Sequence, residues 1–189
     1  MNTATAKETT KTTFPKLQPL FKYLDSLNAP ADLATLSRLL EDLDITRKDI
    51  EEACVFGEGD YQRVVLKDSL WYEVVCICWR SGQRTPIHDH KGASCAFRVI
   101  EGIATETIFE KSASGFVYPT SSKHQPCGYI AASSEVDIHQ VTNTQPPGTD
   151  LINIHIYSPL LRDFNIYSLD TRSVNDPKTK RPNDFVFKS

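Results

Sequence analysis

Three of the five histidines in this chain form one pattern. His88 and His90 make an H-D-H pair inside Gly82-x5-His88-x-His90-x4-Cys95-x6-Gly102, and His139 follows in His139-x3-Asn143. Residues i and i+2 of a strand point to one face, so an H-x-H pair on a strand presents two imidazoles side by side. A third imidazole from a facing strand completes a facial site with positions left open for water, substrate or oxygen. Such a site is built for chemistry rather than for structure. A lone strand histidine is more often a packing residue, and it is the pair together with its glycine frame that favours a ligand role for these three.

Two further groups carry polar chemistry. Asn153, His155 and Tyr157 alternate with Ile152, Ile154 and Ile156, so the polar side chains share one strand face. If that face is buried, its polar groups need partners; the plainer reading is a solvated face. Tyr61 and Arg63 form another same-face pair. An inward arginine would grip a carboxylate bidentately, although most arginines lie at the surface.

Those residues must be positioned by a fold that the chain can afford. Its 189 residues suit one domain with a full core, and 40% hydrophobic with 24% charged residues is ordinary for a globular protein. A net charge of −3 disfavours nucleic acid or an anionic membrane as the main partner, and no apolar run is long enough to span a membrane. Residues 1–13 lack an apolar stretch and read as a disordered tail, not a secretory signal. The five cysteines are odd in number and lack disulfide-framework spacing, which suits a reducing cytoplasm.

Residues 14–56 read as an N-terminal helical segment. Leu17, Leu20, Phe21, Leu24 and Leu27 recur at helical spacing, as do Leu33, Leu36, Leu39, Leu40 and Leu43, with Pro30 between them. Thr46 and Asp49 resemble a capping box that opens a third short helix. From residue 57 to 189 the period shortens. Tyr61–Lys67, Leu70–Trp79, Ala93–Glu101, Ile103–Glu110, Val136–Val141 and Leu151–Tyr157 are short, β-branched and bounded by turn residues. No long helix interrupts them, so a sandwich or barrel is expected rather than parallel βαβ units.

The glycine-framed histidine pair and the His139 segment resemble the two signatures of the cupin barrels, which implies a mainly β, double-stranded β-barrel (jelly roll). The usual cupin has a glutamate where this chain has Cys95. Three neutral imidazoles would then leave a divalent ion its full charge, more attractive to an anionic ligand such as a thiolate. A buried packing residue is the plainer reading of Cys95.

Taken together, Tyr61-x-Arg63, Cys78-Trp79, Ile87-His88-Asp89-His90, Cys95, Gly102, Glu106-Thr107, His139, Asn143 and His155-Ile156-Tyr157-Ser158-Pro159 resemble cysteine dioxygenase. The resemblance implies Fe(II) bound by His88, His90 and His139, with L-cysteine and O2 as the small-molecule partners. It implies that Arg63 holds the substrate carboxylate with support from Tyr61, that Tyr157 sits beside the iron, and that His155 orients Tyr157. It also makes a Cys95–Tyr157 thioether available and implies a cis Ser158-Pro159 bond. Asn153 departs from the serine of the animal relay, and Phe164 stands where animal members carry a cysteine near the substrate entrance.

The expected function is therefore a monomeric, cytoplasmic iron(II) dioxygenase converting free cysteine to cysteine sulfinate. Its rivals are a dioxygenase for another small thiol acid such as 3-mercaptopropionate, a metal- or thiol-binding cupin without catalysis, and a zinc or manganese cupin hydrolase or isomerase. Arg63 and Cys95 favour cysteine over the first rival.

Overall fold

The computed structural model describes residues 14–90, 93–133, 138–161, 164–170 and 184–186. The tail expected over residues 1–13 lies outside them, as do residues 136 and 137 of the Val136–Val141 strand.

Two short helices open the described chain: α1, Gln18–Asp25, and α2, Leu33–Glu41. Asp32 caps α2 by accepting from the Thr35 backbone N–H at 2.8 Å. The capping box forms at Thr46 and Asp49, but the element behind it is a 3-10 segment, Arg47–Ala53, kinked at Ile50. The expected third short helix is thus present, in the tighter 3-10 form. None of these helices is long and apolar enough to cross a membrane.

The remaining elements are strands: β1 (Gln62–Asp68), β2 (Glu73–Trp79), β3 (Ile87–His88), β4 (Ser94–Glu101), β5 (Ile103–Lys111), β6 (Val117–Pro126), β7 (Ile130–Ser133), β8 (Ile138–Thr142), β9 (Leu151–Ser158), β10 (Ile166–Tyr167) and β11 (Asp184–Val186). They make two sheets, ordered β11-β1-β2-β9-β4-β7 and β10-β3-β8-β5-β6. Pairing is antiparallel throughout except between β1 and β11. This is the mainly β, two-sheet double-stranded barrel that the sequence implied.

β2 and β9 form the central wall of the first sheet, and every residue in both is buried. Strand alternation explains why. Val74, Cys76, Cys78, Ile152, Ile154 and Ile156 pack outward against the helices. Val75, Ile77, Trp79 and Tyr157 pack inward with Ala104 and Val141 of the second sheet. Covering the outer face with helices leaves the inner face free to build a polar site. Gly102 makes the β4–β5 turn at φ +79°, and a Cβ there would stand 2.3 Å from the Asp150 carbonyl oxygen. Asn143 is fully buried and donates to the Trp79 and Thr149 carbonyls, which pins the loops beside the β8 end.

β6 was not expected from the sequence. It is an edge strand whose residues are exposed except at Val117 and Gln125, so it has no alternating apolar face to read. β3, β7, β10 and β11 are too short to show a period.

Candidate metal centre and substrate cavity

β3 and β8 pair so that His88 stands directly opposite His139. The strand-borne H-x-H pair is only half realised. β3 ends at His88, and His90 reaches the site from the following loop. The cause is Asp89, which is buried and accepts from the Asn165 backbone N–H, the Asn165 side chain and the Tyr167 hydroxyl at 2.7–2.9 Å. Those bonds bend the chain inward, and His90 still joins the cluster. Ring centroids lie 5.3 Å apart for His88–His90, 4.6 Å for His88–His139 and 4.8 Å for His90–His139.

One nitrogen of each imidazole can serve as a ligand, with all three such atoms within 4.8 Å of one another. The other edge of two rings is already fixed. His88 Nδ1 donates to the Pro86 carbonyl at 2.9 Å, and His139 Nδ1 donates to Glu106 Oε1 at 2.8 Å. Glu106 Oε2 in turn accepts from Gln125 at 2.6 Å. Burial pushes the Glu106 carboxyl up, but His139, Gln125 and Lys123 outweigh it and hold the group below its ordinary value. His88 and His90 are both pulled down to about 3, chiefly by burial and next by His139. They are therefore neutral, as ligands must be. Among the described residues, His139 Nε2 is buried without a hydrogen-bond partner, which is costly unless something occupies it. Three clustered imidazoles, with His88 and His139 oriented from behind and the Nε2 of His139 facing no partner among the described residues, fit a divalent cation.

A cavity opens in front of this cluster, lined by Tyr61, Arg63, Ile77, Thr85, Pro86, His88, Tyr157, Leu161 and Phe164. Arg63 is only 5% exposed, so it is not a surface arginine. Tyr61 stacks on Trp79 at 4.4 Å between centroids. Sequence reasoning missed Glu73, a buried carboxylate 3.2 Å from the Arg63 guanidinium. Its parity with Val75, Ile77 and Trp79 on β2 was the available signal. Phe164 meets the His88 ring edge-on at 5.9 Å and forms part of the cavity wall.

Asn153, His155 and Tyr157 face the interior and are all buried, so this is not a solvated face. Tyr157 Oη lies 3.3 Å from His155 Nδ1, and His155 stacks on Phe97. Burial drives the His155 ring well below its ordinary value and pushes the Tyr157 hydroxyl up. Asn153 does not reproduce a serine relay. Its Oδ1 accepts from Trp79 Nε1 at 3.1 Å, and its Nδ2 and the His155 Nε2 have no partner among the described residues. Cys95 sits directly opposite Tyr157 across the β4–β9 ladder, with its thiol pushed up to about 12 by burial and by Glu106. Side chains so paired stand about 5 Å apart at Cβ. The Ser158-Pro159 bond is cis.

The family model described as cysteine dioxygenase type I matches residues 6–170. A cysteine dioxygenase type 1 from Danio rerio is 24% identical over 164 residues, covering 82% of this chain and 77% of that protein. The Homo sapiens protein of the same name is 27% identical over 96 residues, covering 47% of this chain and 45% of that one. A crystal structure of a double-stranded beta-helix domain protein from Klebsiella pneumoniae superposes with a TM-score of 0.49 at 20% identity, over 63% of this chain and 94% of that chain.

Proposed function

This chain belongs to the cysteine dioxygenase type I family, and we propose that it is an iron(II) enzyme adding both atoms of O2 to the thiol of free L-cysteine, giving cysteine sulfinate. The observation that carries this reading is the orphaned Nε2 of His139, in a three-histidine cluster beside a cavity that also holds Arg63 and Tyr157.

His88, His90 and His139 would hold the iron, which supplies a place to bind the substrate thiolate and to activate O2. Glu106 fixes the His139 ring and keeps its Nε2 directed away from the carboxylate. Arg63 binds the substrate carboxylate across the cavity, and Tyr61, stacked on Trp79, braces that wall. Tyr157 keeps its proton, because burial opposes ionisation, and its hydroxyl serves as a hydrogen-bond donor to substrate. His155 orients that hydroxyl. The apolar residues of the wall, Ile77, Leu161 and Phe164, limit water around the reacting sulfur. The sulfur supplies all the electrons that O2 takes up, so no external reductant enters the reaction. Cys95 lies opposite Tyr157 on the neighbouring strand, and a thioether between them would form with loss of the S–H and a ring C–H hydrogen, the two electrons going to O2.

The test is oxygen uptake by the iron-loaded protein with L-cysteine, cysteamine and 3-mercaptopropionate, alongside His139→Ala. L-cysteine should be the best substrate, and His139→Ala should lose most of its iron and all uptake. Faster uptake with 3-mercaptopropionate, or full iron in His139→Ala, would overturn the assignment.

A further inference from the structure

The outer face of β2 carries a second cluster of metal-binding atoms. Cys76 and Cys78 are two apart on the strand, so both point away from the histidine cavity and into the core beneath the helices. Cys54, which ends the Arg47–Ala53 segment, closes over them. The Cys76 and Cys78 sulfurs are 3.8 Å apart, and all three sulfurs lie within 4.8 Å of one another. We propose that Cys54, Cys76 and Cys78 form a three-thiolate site for a thiophilic d10 cation, Cu(I) or Zn(II), separate from the histidine centre.

Free cysteines often fill cores as small apolar residues, but three features set this group apart. The first is spacing. An S···S edge of 3.8 Å belongs to a tetrahedron whose centre lies about 2.3 Å from each corner, the zinc–thiolate bond length. The same edge in a flat triangle gives about 2.2 Å, suited to a three-coordinate soft ion. The wider edges need to close by about 1 Å at most.

The second feature is access. Cys76 and Cys78 are buried, whereas Cys54 is half-buried. The site thus has two pre-positioned ligands inside and a third at its mouth, where a cation can enter and a fourth ligand can come from water. The third feature is electrostatic. Hydrogen bonding from Cys76 and then Cys78, opposed by burial and aided by the Arg47 guanidinium, holds the Cys54 thiol below its ordinary value. Hydrogen bonding to Cys54 pushes the other two thiols up. Cys54, at the mouth, is thus the sulfur of the three that gives up its proton most readily. On binding, each remaining thiol exchanges its S–H bond for a metal–sulfur bond and releases its proton to solvent. Among the described residues the cluster contains no carboxylate or imidazole, so it selects against hard ions.

The experiment uses the full chain, reduced and handled without oxygen. His139→Ala serves as the background in which the histidine centre no longer competes. Co(II) is the spectroscopic probe, because only thiolate ligation gives sulfur-to-cobalt charge transfer. Cu(I) and Zn(II) are then titrated separately against a chromogenic chelator. The expected result is a charge-transfer band and one tightly held Cu(I) or Zn(II) per chain, both retained in His139→Ala. Both should be lost when Cys54→Ala, or the closer replacement Cys54→Ser, is added. In the wild-type background Cys54→Ser should leave oxygen uptake unchanged, since the cluster lies across the sheet from the cavity. The ion that competes better with the chelator identifies the occupant. The proposal is overturned if His139→Ala gives no charge-transfer band and binds neither ion, or if the Cys54 variants bind them as the parent does.

Discussion

Arg63 and Glu73 allow substrate binding and folding to be separated in one experiment. Both side chains are buried, 7% and 6% exposed, and they pair at 3.2 Å. Arg63→Ala therefore does two things. It removes the carboxylate clamp, worth about 2–4 kcal/mol in transition-state stabilisation, or roughly 30- to 900-fold in kcat/KM. It also leaves Glu73 buried without its guanidinium, which costs about 3–5 kcal/mol of stability from a total of about 5–15. Loss of activity in the single variant alone would not distinguish the two effects. Arg63→Ala/Glu73→Gln removes the buried charge as well. The double variant should regain most of the lost Tm while kcat/KM for L-cysteine stays low. Cysteamine, which has no carboxylate, should be a poor substrate for the wild type and should lose little more in either variant. The assay is oxygen uptake against substrate concentration, with Tm measured on the same preparations. A well-folded double variant that oxidised L-cysteine at the wild-type kcat/KM would refute the clamp.

Glu106→Ala should weaken iron binding roughly 10- to 100-fold through the loss of the His139 contact, with Glu106→Gln recovering part of it; unchanged iron affinity in a metal-competition titration would count against this role. Cys95 and Tyr157 should become joined after turnover, read as an intact mass lower by two hydrogens and a reductant-resistant gel shift, and Cys95→Gly should abolish both while keeping substantial activity. His88 and His90 fold with values near 3, against about 6.5 in an unfolded chain. The unfolded chain gains protons first as pH falls, so the metal-free protein should lose stability from about pH 6.5 down to about 3. A Tm that stays flat from about pH 7 to about 4.5 would contradict this, and the slope should shrink in His90→Gln.

The longer strands that build the site were legible because each has a face to read. On β9, Ile152, Ile154 and Ile156 alternate with Asn153, His155 and Tyr157, and the wall is buried on both sides for that reason. β6 was hidden because its run of exposed Thr, Ser, Lys and His residues has no apolar partner face. The three-histidine cluster was readable from spacing, but the turn that brings His90 inward depends on Asn165 and Tyr167, far along the chain. Glu73 escaped notice because an acidic residue at a strand start reads as solvated, although its parity with Val75 and Ile77 places it inside. The thiol cluster could not be read at all. Cys76 and Cys78 announce a shared face, yet only tertiary packing brings Cys54 to them.

The central claim is that both oxygen atoms of O2 end on the sulfur of free L-cysteine. The most direct measurement is a reaction of the iron-loaded protein with L-cysteine under isotopically labelled O2, with the product analysed by mass spectrometry. The account predicts cysteine sulfinate carrying two labelled oxygens. Sulfinate with one labelled oxygen, oxygen consumed without sulfinate, or no oxygen consumed at full iron loading would contradict it.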